Sequence, residues 1–87
     1  MLESMVNHKI VIDMRSTFVC MGTLLRFDDY FLELKNADFH DLRDTDTTRE
    51  NYVAESVTTG IKRNRKRVLI RREEVVAISR LDEIVDE

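Results

Sequence analysis

In the segment HKIVIDMR, apolar and polar positions alternate. Ile10, Ile12 and Met14 fall on one side, and Lys9, Asp13 and Arg15 fall on the other together with Val11. A period of two marks a half-buried β-strand. Before it, Leu2, Met5 and Val6 recur at helical spacing, which predicts one short amphipathic turn. Ser16-Thr17 turns the chain without the usual glycine. TFVCMGTLLRF follows, β-branched and apolar on both faces, and reads as a long strand. Gly22 inside it marks a bend or a close backbone approach. Asp28-Asp29 makes the next turn. YFLELKNAD is a third strand, with Leu32 and Leu34 pointing one way and Glu33 and Lys35 the other.

The pattern changes over residues 39–60. HDLRDTD is polar and reads as a loop. Thr47-x-x-Glu50 has the form of a capping box, in which hydroxyl and carboxylate satisfy orphan backbone N–H groups. Tyr52, Val53 and Val57 recur at near-helical spacing, and Gly60 stands where a helix would stop. The spacing predicts a helix from about Thr48 to Thr58. RKRVLIR then returns to strand alternation, RREE turns, EVVAISRL is strand-like, and residues 82–87 form an acidic tail. Short turns, four or five strands and one helical excursion predict a mainly β chain, bent into a small antiparallel barrel.

Composition narrows the functional classes. The chain has 87 residues, room for one small domain whose core is marginal alone. One cysteine, Cys20, allows no internal disulfide and fits a reducing compartment. No apolar run reaches membrane-span length, and the N-terminus lacks the apolar core of a secretory signal. A soluble cytoplasmic domain is the expectation. The formal charge of -3 argues against indiscriminate nucleic-acid binding. Yet Ile61 to Arg72 holds seven of the 14 basic residues, which leaves room for a local basic patch.

Candidate chemistry is sparse. With only Gly22 and Gly60 there is no glycine-rich phosphate loop. Asp38, His40, Asp41, Asp44 and Asp46 cluster, but they lack the glycine and bidentate glutamate of a calcium loop, so a plain polar loop is preferred. Nothing pairs Cys20 with His8 or His40 as a nucleophile, so Cys20 reads as a buried structural residue. No enzyme, metal or cofactor is expected.

The strand order resembles the Sm/LSm (Sm-like) family. Its first motif is matched by KIVIDMRSTFVCMGTLLRFDDYFLELKNAD: the alternating first strand, Gly22, Leu24, Phe27-Asp28, Leu32-x-Leu34 and Ala37. Its second is matched by VLIRREEVVAI, through Ile70, Arg71, Val75 and Ile78. The resemblance implies a five-stranded, SH3-like bent barrel behind a short N-terminal helix. Residues 39–60 would be an insertion carrying a helix. It also implies a homo-oligomer, usually a ring closed by pairing the fourth strand of one subunit with the fifth of the next. The seam would then involve Val68, Leu69, Ile70, Val75, Val76 and Ile78.

The resemblance further implies single-stranded RNA as partner. Arg71 matches the family's arginine, and Tyr30 sits near its base-stacking position. Arg72 and the basic residues Lys62, Arg63 and Arg65 complete the candidate RNA-binding set. Three departures from the family pattern occur, of which the first two stand against this. Phe31 or Leu32 falls where the family has its base-contacting Asn, the usual Ile-Arg-Gly is Ile70-Arg71-Arg72, and Ser16-Thr17 replaces Asp-Gly. Two functional readings follow: an RNA-binding module, favoured by fold and basic tract, or a structural ring that has lost the base pocket.

Overall fold

The computed structural model describes residues 1–85. A 3-10 turn, Leu2–Met5, leads into β1 (Lys9–Met14), β2 (Phe18–Phe27) and β3 (Phe31–Asp41). Helix α1 (Arg49–Thr59) follows, then β4 (Arg65–Arg71) and β5 (Val75–Arg80). Short 3-10 turns occupy Leu42–Asp44, Arg72–Glu74 and Leu81–Glu83. The strands form one antiparallel sheet in the order β4-β3-β2-β1-β5. The fold class read from the sequence is therefore observed.

The sheet is bent enough to enclose its own core. Ile10, Ile12, Cys20, Leu24, Leu32, Leu34, Ala37 and Ile70 pack inside, and Leu2, Met5 and Val6 of the first turn cover one end. The bend is built from irregularities. The β2–β3 register shifts between Met21 and Thr23 and again between Leu24 and Arg26, and Asn36 takes a left-handed φ of 51°. Such bulges increase local twist. Gly22 sits at the tightest point. A Cβ there would lie 3.0 Å from the Ala37 Cβ, so the two strands can approach only without one. The β4–β5 turn ties the two ends of the sheet together. Arg15 N–H donates to the Glu74 carbonyl at 2.9 Å, and Arg72 N–H donates to the Tyr30 carbonyl at 2.8 Å.

The opposite face of β1 and β2 explains why TFVCMGTLLRF is apolar on both sides. Val11, Val19 and Met21 point away from the main core and pack under Tyr52 and Val53 of α1 and Leu81. The helix thus roofs the outer face of the barrel with a second small core.

Its start differs from the expectation by one residue. Thr48, not Thr47, caps it, accepting Asn51 N–H on Oγ1 at 3.1 Å, so no Thr47–Glu50 box forms. Gly60 ends it with φ 93°, as expected, and its N–H reaches the Ser56 carbonyl. Val57 is left half outside, and Ser56 is buried in the face turned to the barrel.

β3 also runs further than the polar residues suggested, so Phe39, His40 and Asp41 are strand and not loop. The cause is again the helix. Asp38 is 1% exposed and accepts from Tyr52 OH at 2.5 Å and from Asn64 Nδ2 at 3.1 Å. His40 stacks on the Tyr52 ring, centroids 4.4 Å apart. On the inner side Phe39 stacks on Phe18. At the C-terminal end Leu81 is buried and Arg80 holds Asp82. The acidic tail expected at 82–87 ends in Asp86 and Glu87, which lie outside the described residues. No helix of the described residues is long and apolar enough to cross a membrane.

Candidate nucleic-acid interface

The β2–β3 and β4–β5 turns meet. Asp28 organises the first by accepting the Tyr30 and Phe31 N–H groups on Oδ1, each at 2.8 Å. Those two donors hold its carboxyl below the usual carboxylate range. The turn leaves Tyr30 74% exposed, its ring free to stack. In the second turn Arg72 donates through Nη1 to the Asp28 carbonyl at 2.6 Å, and its guanidinium stands 6.0 Å from the Phe27 ring centre. Arg72 is therefore committed to holding the two turns together. Arg71 lies opposite Phe31 in the β3–β4 register, is exposed, and pairs with Glu73.

These residues border a cleft of about 260 Å³ lined by Asp29, Tyr30, Phe31, Arg71, Arg72 and Glu73. Its chemistry is an aromatic face, a half-exposed second aromatic, one accessible guanidinium and two carboxylates. That set suits a planar ring with polar edges better than a bare phosphate. Of the two residues that stand where the family has Asn, Leu32 is fully buried and unavailable, and Phe31 is 38% exposed at the cleft.

The expected RNA-binding set divides. Tyr30, Arg71 and Arg72 come together. Lys62, Arg63 and Arg65 do not join them: Arg65 stands at the other end of β4, six residues or about 20 Å from Arg71, and Lys62 and Arg63 lie before that strand. Lys62 pairs with Glu55, and the Arg65 guanidinium stands 5.9 Å from the Phe39 ring centre. Arg63 is exposed.

The expected seam residues also divide. Ile70 is 3% exposed and belongs to the protomer's own core, against which Val68, Val75 and Ile78 also pack. Leu69 and Val76 are exposed at 59% and 67%. β4 pairs only with β3, and β5 only with β1, so each strand keeps one free backbone edge among the described residues.

Sequence reasoning missed Phe31 as a cleft wall, the Asp28 carboxylate as the organiser of the turn placed at Asp28-Asp29, and Asn64 as a partner of the buried Asp38. An Asp two or three residues before an aromatic pair is a signal for the second of these. Nothing in the sequence flagged Asn64. The acidic cluster does not converge: Asp38 faces Tyr52, Asp41 pairs with Arg43, and no group of three metal-ligating side chains occurs among the described residues. Cys20 is fully buried, and burial pushes its thiol up to about 12, as befits a structural residue.

No protein-family model matches the sequence. No curated protein matches it significantly. Solved structures do. An Sm protein of Pyrococcus abyssii in complex with a uridine heptamer superposes with a TM-score of 0.63 at 16% identity, over 91% of this chain and 90% of that one. An Sm-like protein from Archaeoglobus fulgidus gives 0.60 at 23% identity, over 91% and 87%. A heptameric archaeal Sm protein gives 0.60 at 20% identity, over 91% and 93%. At these identities the likeness is one of fold, and the resemblance read in the two motifs is borne out at that level: the chain has the Sm-like fold.

Proposed function

We propose that this chain is an oligomeric, single-stranded-RNA-binding module of the Sm-like type. The observation that carries the reading is the convergence of Tyr30, Phe31 and Arg71 at the meeting of two turns, in a fold whose solved examples include an Sm protein holding a uridine heptamer. The base would stack on Tyr30 or Phe31, and Arg71 would leave Glu73 to bond to base edge or phosphate. Oligomerisation supports the same reading. A marginal core and two free strand edges both gain from a neighbour, and a heptameric relative in fold exists. Pairing the free edge of β4 with that of β5 on the next copy would place Leu69 and Val76 at the seam. A head-to-tail contact of this kind closes into a ring when its rotation allows.

The second reading is a structural or protein-interaction ring. It is favoured by Asp29 and Glu73 at the cleft and by the missing Asn. Fluorescence anisotropy with short U-rich and A-rich RNAs separates the two. Arg71→Ala should weaken binding about tenfold or more, the loss of one contact worth roughly 1–3 kcal/mol. An intact oligomer that binds neither RNA at low salt would establish the second reading.

A further inference from the structure

The outer face of the sheet carries a row of cations that the cleft does not use. The register places Lys9 of β1 opposite Thr23 of β2, Thr23 opposite Lys35 of β3, and Lys35 opposite Arg67 of β4. At the usual strand spacing the row crosses about 15 Å. It lies one step beyond Val11 and Met21, the residues roofed by α1, and so begins where the helix stops. Lys9 borders a cleft with Gly60 and Ile61 at the helix end. The next pair, Arg26 and Glu33, adds a cation and a carboxylate, which Arg26 and Arg67 share. Asp82, at the Lys9 cleft, is held by Arg80.

Lys9 and Lys35 have no carboxylate partner among the described residues. Like charges directly opposite across a strand pair, as Lys35 and Arg67 are, oppose folding. In a chain of net charge -3 this face is basic against the average. The same face continues along β3 through Glu33, already paired with Arg26 and Arg67, to Phe31 and, opposite it on β4, Arg71 at the cleft. A polyanion leaving the cleft therefore meets a basic track.

We propose that the Lys9–Lys35–Arg67 row is a second contact site for single-stranded RNA, taking the phosphate backbone of nucleotides beyond those held at the Tyr30–Arg71 cleft. This rests on the RNA-binding reading above. Neutralising a phosphate on a single strand releases counterions and steepens the salt dependence by about 0.7 per contact.

The test is a salt titration of binding, by anisotropy, with a uridine heptamer and with a long U-rich RNA. It compares the full chain with the Lys9→Gln/Lys35→Gln double variant. Both side chains project from the outer face without ion pairs, and matched thermal melts confirm the variant's fold. The variant should bind the heptamer as the unaltered protein does. Its log-log salt slope on the long RNA should be shallower by about 1.4, two contacts' worth. An unchanged slope on the long RNA overturns the second site and leaves the cleft standing. Equal weakening on both RNAs overturns it as a separate site. No RNA binding by the unaltered protein overturns the functional reading and this site together.

Discussion

Asp38→Ala is expected to cost roughly 1–3 kcal/mol of stability, because it leaves the buried Tyr52 hydroxyl without an acceptor. The exposed Asn64 loses one bond from its Nδ2 and keeps the other, to the Phe39 carbonyl. Asp38 also ties α1 to β3 beside the connector before β4, which Asn64 holds to the Phe39 backbone as well. The helix should therefore loosen from Val11, Val19 and Met21, and limited proteolysis should cut near Gly60 faster. Chemical denaturation at matched protomer concentration measures the loss, since an oligomer's stability depends on concentration. A variant within about 0.5 kcal/mol of the unaltered protein, the range of an ordinary surface change, would contradict the buried lock.

The lock also has a pH signature. Burial first, and then the hydrogen bond to Asp38, push the Tyr52 phenol above its ordinary 10.0. Folding thus favours the protonated phenol. Its contribution is full below pH 10.0 and is lost as pH rises from there towards the raised folded value. Tyr52→Phe should remove that part of the alkaline fall in stability.

Gly22→Val is the second large effect. Its Cβ would meet the Ala37 Cβ at 3.0 Å, the Ala37 Cα at 3.1 Å and the Lys35 carbonyl oxygen at 3.1 Å. None of these is the movable end of a long side chain, so the strands must separate. Overpacking of this kind costs about 1–3 kcal/mol and sometimes more, and the branched side chain puts valine at the upper end. Ala37→Gly in the same chain should recover part of the loss. Such coupling is what a direct contact produces. A Gly22→Val protein with an unchanged denaturation midpoint would show that β2 and β3 do not approach as described.

The strands were legible because their chemistry is local. Ile10, Ile12 and Met14 alternate with Lys9 and Asp13 whatever lies across from them. The close approach at Gly22 was legible because glycine inside a strand usually has a steric cause. Asp38, His40 and Asp41 were read partly as loop for a tertiary reason. Polar residues at the end of β3 are hidden by a helix that comes later in the chain, and their partners, Tyr52 and Asn64, lie 14 and 26 residues away from Asp38. Thr47 and Thr48 are interchangeable as local caps, and the burial of Tyr52 and Val53 accompanies the choice of the second. The cleft was half legible. Tyr30 and Arg71 were marked by the resemblance, but the run IKRNRKR could not reveal that Arg65 stands at the far end of β4, about 20 Å from Arg71. The run's charge is split among Glu55, Phe39, Glu33 and the outer row.

The central claim is that copies of this chain assemble and hold single-stranded RNA at the Tyr30–Arg71 cleft. Light scattering coupled to size exclusion, run at micromolar protein with a labelled uridine heptamer, tests both halves at once. The account predicts one closed oligomer whose peak carries the label at low salt and loses it at high salt. A monomer peak with the label eluting free at low salt would contradict it.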